Sequence, residues 1–148
     1  MPYPPGPPLP PRVILDTNIL VAASYAPHSA ARRILDACLA GQLQAIASRA
    51  VYREYDLIVA KAVRVSGYRD QLARWRENLE VVAPRSVGRV VPDDPDDDKF
   101  IAAALGGAAR WIITNDRHLL DLDPYGPIRI VTSGEFASWM GNQKKSAS

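Results

Sequence analysis

The stretch Arg12–Tyr25, RVILDTNILVAASY, decides how the rest of the chain is read. Val13–Leu15 is a short apolar run without alternation, the pattern of a strand buried on both faces of a parallel sheet. It ends in the polar Asp16-Thr17-Asn18, and the apolar pattern resumes at once as a helix. A strand whose carboxyl end carries an acid and opens into a helix is the first half of a β-α-β unit, and the same grammar recurs downstream. "HSAARRILDACLAG" places Ala31, Ile34, Leu35, Cys38 and Leu39 on one helical face and closes on Gly41. "LQAIAS" reads as a second strand. Ser48 caps the next helix, with Val51, Tyr55, Ile58, Val59 and Ala62 as its buried stripe. A helix over about 68–78 leads into a third strand in "LEVVAP". "DKFIAAALGGAA" is a helix ended by Gly106-Gly107, "RWIITND" is another strand ending in polar residues, "RHLLDL" is a helical turn, and "PIRIVT" is a fifth strand. "SGEFASWM" is a last helix capped by Ser133. Strands alternating with helices imply an α/β fold, a three-layer α/β/α sandwich around a central parallel sheet of about five strands with right-handed crossovers.

A chain of 148 residues that is 47% hydrophobic buries one sizeable core. The boundaries expected are a Pro-rich tail over residues 1–11, a folded domain over 12–140 and a polar tail over 141–148. The opening "MPYPPGPPLPP" lacks the amide donors that a helix or central strand needs. No apolar run reaches the roughly 18–20 residues required to span a bilayer, and the first residues lack the pattern of a signal peptide, so no membrane partner and a cytoplasmic location are expected. The lone Cys38 stands among apolar helix positions and reads as a packed thiol, not a nucleophile. Net charge is only +2, but it is polarised. Between Ser48 and Leu79 seven basic residues (Arg49, Arg53, Lys61, Arg64, Arg69, Arg74, Arg76) face four acids, while between Pro92 and Asp123 the acids dominate.

Ligands of open α/β sheets bind beyond the carboxyl ends of the strands, where strand order reverses. Three acidic features fall at that edge: Asp16 after the first strand, Asp116 after "WIIT", and the Asp93–Asp98 cluster opening the helix before it. Glu54, one to two turns into the helix after strand two, is a fourth. Gathered carboxylates repel one another and are compensated most naturally by a hard divalent cation, for which Mg²⁺ and Mn²⁺ are the oxygen-preferring candidates. Such ions serve phosphodiester hydrolysis without a histidine. Each acid alone also has a plain structural role, as a turn, a cap or a solvated helix face. Their agreement in location favours the site.

With these residues placed, the chain resembles the PIN-domain family of metal-dependent ribonucleases, particularly the VapC-like toxin components of bacterial toxin–antitoxin pairs. The resemblance spans roughly Arg12 to Met140 and rests on four ordered motifs: "VILDTNILVAA" (Asp16, with Thr17 and Asn18), "SRAVYRE" (Ser48, Glu54), "DPDDDKFIAAAL", and "IITNDRHLL" (Thr114, Asn115, Asp116). It implies Mg²⁺ or Mn²⁺ held by Asp16, Glu54, Asp97 and Asp116, with Asp98 the alternative to Asp97. Asn18, Thr114 and Ser48 are supporting groups. It also implies water attack on an RNA phosphodiester with a 3′-hydroxyl and a 5′-phosphate as products. Arg49, Arg53, Lys99 and Arg117 flank the ligands as candidate RNA contacts, and His118 reads as a surface helix residue. A cognate antitoxin is the implied partner, and a homodimer is compatible with the family. A receiver or dehalogenase-type phosphoryl-transfer domain does not fit, because "RVILDTN" lacks a paired acid and "VVAPRSV" lacks an acceptor aspartate. A non-catalytic PIN-like module binding RNA or protein is the remaining alternative.

Overall fold

The computed structural model describes residues 9–62, 66–86 and 98–147. Five strands are ordered along the chain as β1 (Arg12–Leu15), β2 (Gln44–Ala47), β3 (Glu80–Val81), β4 (Trp111–Ile113) and β5 (Arg129–Val131). They form one parallel sheet in the order β3-β2-β1-β4-β5. The helices are α1 (Thr17–Tyr25), α2 (Ala30–Leu39), α3 (Arg49–Ala62), α4 (Ser66–Glu77), α5 (Asp98–Gly106), α6 (Arg117–Leu120) and α7 (Ser133–Ala147). The expected α/β sandwich is therefore present, with a sheet of five parallel strands flanked by helices.

The central strand is the one whose reading opened the sequence. Val13, Ile14 and Leu15 are all fully buried, because β1 is flanked by β2 and β4 and α5 packs on all three strands. The chain winds outward from β1 to β2 to β3, then crosses back to lay β4 on the opposite side of β1. Strand order thus reverses between β1 and β4, which puts the crevice of the sheet at the carboxyl ends of those two strands. The ladder continues one residue past each strand there, through Asp16 N–H to Ile113 O (2.9 Å) and Thr114 N–H to Val131 O (2.9 Å).

Helix ends account for much of the remaining order. Ser29 and Ser48 accept from the amides of Arg32 (3.1 Å) and Val51 (3.2 Å), capping α2 and α3 as side-chain oxygens do at orphan amides. α2 ends through Gln42 N–H to Ala37 O, with Gly41 at φ 78°, where only glycine avoids a steric penalty.

Several expectations need correction. The cap of α7 is Thr132 and not Ser133: the Thr132 hydroxyl accepts from the Glu135 amide (3.1 Å), the N-cap bond, and donates to the Glu135 carboxylate (3.1 Å). α7 also runs on past Met140 to Ala147, since "GNQKKSA" contains no proline and its helix formers propagate a turn already nucleated. β3 is only two residues long, and α4 begins at Ser66, earlier than expected. Ile58 is 39% exposed, because the buried face of α3 runs through Val51, Tyr55 and Val59. Cys38, though not fully enclosed, packs against the core as expected.

Candidate metal centre

Asp16 is the pivot of the crevice. It is 6% exposed, ends β1 and caps α1, its carboxylate accepting the Asn18 amide at 3.3 Å. Its second oxygen accepts from the Thr114 hydroxyl at 2.7 Å. Thr114 is itself fully buried, and its oxygen accepts from the Asp116 amide at 2.9 Å. One hydroxyl therefore ties the acid after β1 to the turn that carries the acid after β4. Asn18 contributes through its backbone, its side chain being exposed.

Glu54 approaches from α3. One of its oxygens accepts a hydrogen bond from the hydroxyl of Thr17, a buried residue immediately after Asp16, and the other pairs with Lys99 Nζ at 2.7 Å. Below them Tyr55 is wholly buried and donates its hydroxyl to the carbonyl of Leu15, pinning α3 to the end of β1. Asp116 caps α6 by accepting the His118 amide at 2.9 Å. The carboxylate of Asp116 remains about one-third exposed at the mouth of the crevice.

The electrostatics follow from this packing. Burial raises the Asp16 pKa above its usual value, against the hydrogen bonds from Thr114 and Asn18, and the neighbouring charges of Glu54 and Asp116 push it further up. Glu54 and Asp116, which follow Asp16 by 38 and 100 residues in the chain, thus act on it in the fold. Burial likewise pushes the Cys38 thiol up to about 12, which suits a packed group and not a nucleophile.

Of the acids expected to line the site, Glu54 and Asp116 stand near enough to Asp16 for their charges to act on it. Asp98 opens α5 as its first residue, partly buried. Asp97 and the rest of the Asp93–Asp97 run lie outside the described residues. Among the described residues, no three of His, Cys, Asp and Glu form a group that could hold a metal ion. The donor set nevertheless suits a hard cation, because it is all oxygen, half enclosed, and already strained by like charge at Asp16.

The basic residues separate into two kinds. Arg49, Arg53 and Arg117 are exposed, and the first two line a groove of about 270 Å³ with Tyr52 and Val81, around α3 from Glu54. Lys99 instead turns inward to Glu54. His118 is exposed, its Nδ1 lying 3.8 Å from Asp116 Oδ1. Thr17 was expected only as a supporting polar group, and its pairing to Glu54 was not legible beforehand; nor was Tyr55 as a donor to the Leu15 carbonyl, its only sequence signal being that it stands next to Glu54.

Comparison with known proteins agrees with this architecture. The profile of the PIN domain family matches residues 12–118. None of the curated proteins compared with the chain is significantly similar. Among solved structures, a chain of the crystal structure of VapBC2 from Rickettsia felis bound to a DNA fragment from their promoter is similar in fold. The TM-score is 0.53 at 15% identity, over 82% of this chain and 98% of that one.

Proposed function

The chain belongs to the PIN domain family, and from that premise we propose that it is a metal-dependent endoribonuclease, the toxin of a toxin–antitoxin pair. The observation that carries this reading is the buried Asp16 at the crevice between β1 and β4, hydrogen-bonded through Thr114 to the turn of Asp116 and subject to the charge of Glu54. The likeness in fold to a chain of the VapBC2 structure supports the toxin role and an antitoxin partner.

In this reading Asp16, Glu54, Asp97 and Asp116 would hold Mg²⁺ or Mn²⁺. The bound ion would polarise the phosphodiester and supply an activated water at neutral pH. The protein's own work is positional. Thr114 fixes the rotamer of Asp16, Thr17 fixes that of Glu54, and the Asn18 amide holds the other Asp16 oxygen, so the carboxylates are oriented before substrate arrives. Ser48 sets the start of α3 and therefore the reach of Glu54. Arg49, Arg53 and Arg117 are proposed to receive the RNA backbone, drawing a polyanion to a pocket whose own charge would otherwise repel it. Asp97 is proposed as the third acid and Asp98 as its neighbour.

Single substitutions test the assignment. Asp97→Asn should abolish cleavage of a mixed RNA panel with Mg²⁺ or Mn²⁺, whereas Asp98→Asn should leave partial activity. Equal loss at both positions would undo the choice between them, and retention of activity in Asp97→Asn would reverse it.

A further inference from the structure

Lys99 was expected among the cations that meet RNA, but its ammonium is already engaged. Nζ lies 2.7 Å from Glu54 Oε1, and both side chains are only about a quarter exposed, at 25% and 26%. The other Glu54 oxygen takes the Thr17 hydroxyl. Glu54 is therefore held on both sides, by groups from α1 and α5. Without a compensating cation it would be a half-enclosed carboxylate facing Asp16, whose pKa its charge already helps to raise. Lys99 stands in the first turn of α5, next to Asp98, so one short segment delivers both an acid and the cation that neutralises another acid.

Resting on the metal-dependent reading above, we propose that Lys99 is the resident counter-ion of the carboxylate cluster. Its ammonium holds Glu54 in the metal-free protein and competes with the divalent cation for the same oxygen. A lysine suits this exchange, since it is a point charge on a flexible four-carbon stem, and withdrawal needs only side-chain rotation. The pair keeps the metal-free fold intact and sets a threshold of metal concentration for loading the site.

The test is direct Mn²⁺ binding, read as free ion by electron paramagnetic resonance, on chelator-stripped wild type, Lys99→Met, Glu54→Gln and the double variant, with thermal melting of each metal-free protein. Removing the competing ammonium should tighten Mn²⁺ binding about fivefold, the worth of an ion pair at this exposure. It should also lower the metal-free melting temperature, because Glu54 is left unpaired. In the Glu54→Gln background the same substitution should change affinity less than about twofold, only the screened through-space charge remaining. Lys99→Gln should follow Lys99→Met and serves in its place if that variant folds poorly. Unchanged or weaker Mn²⁺ binding in Lys99→Met, or equal tightening in both backgrounds, overturns the proposal while leaving the metal site standing. A wild type that binds no Mn²⁺ overturns both.

Discussion

Asp16 is 6% exposed, and burial together with Glu54 and Asp116 raises its pKa above the usual 3.8. Protonation therefore favours the folded state. The penalty is absent well below pH 3.8, grows as pH rises from there through the folded-state value, and is complete above it. Asp16→Asn should consequently melt at a higher temperature than wild type at neutral pH without metal, and the difference should vanish in acid. With saturating Mn²⁺ the order should reverse, since only the wild type gains from preferential binding to the native state. Thr114 makes a second residue-scale prediction. Its hydroxyl donates to Asp16 and accepts from Asp116 N–H, so Thr114→Val leaves two buried polar partners unmatched and should cost about 1–3 kcal/mol in denaturant melts. Thr114→Ser should retain most of that.

At the scale of elements, the end of α5 separates two jobs that glycine usually does at once. The left-handed position belongs to Ala108 (φ 55°), with Ala109 N–H to Ala104 O at 2.9 Å closing the turn, and not to either glycine before it. Gly106 and Gly107 are there for clearance. A Cβ on Gly106 would meet the Ala83 carbonyl at 1.9 Å, and one on Gly107 would meet Ile46 Cδ1 at 2.4 Å. Gly106→Ala should thus destabilise by about 1–3 kcal/mol or more, as overpacking does. Ala108→Gly should stabilise by up to about 1 kcal/mol, through relief of the left-handed strain. The pair "GG" correctly marked the end of the helix in the sequence, but not which residue turns it. Periodicity announces that a helix stops, while clearance depends on Ala83 and Ile46, which are distant in the chain. The same limit explains α7. Ser133 and Thr132 are both competent caps, and only the reach of Glu135 decides between them.

At the scale of the whole molecule, the order β3-β2-β1-β4-β5 turns a one-dimensional list of acids into a place. Unbroken apolar runs ending in polar residues made the parallel sheet legible, because burial on both faces leaves that signature. Asp16 and Asp116 were legible as candidates for the same reason, each following a strand, whereas Glu54 rested chiefly on the resemblance of "SRAVYRE" to the second family motif. Thr17 was legible as a supporting polar group but not as the donor to Glu54, and the Tyr55 hydroxyl that holds α3 to Leu15 was not legible, since a donor is matched only when its acceptor across the fold is known. Lys99 was read only as a candidate RNA contact because its pairing to Glu54 joins residues 45 positions apart. Among the described residues no helix is long and apolar enough to cross a membrane.

The central claim is tested most directly by incubating purified protein with end-labelled RNA in Mn²⁺ or Mg²⁺, beside chelator and beside Asp16→Asn and Asp116→Asn. The account predicts internal cleavage by the wild type alone, dependent on the cation, leaving 5′-phosphate and 3′-hydroxyl ends. Cleavage that survives chelation or either substitution would contradict it, as would intact RNA across a panel of mixed sequences.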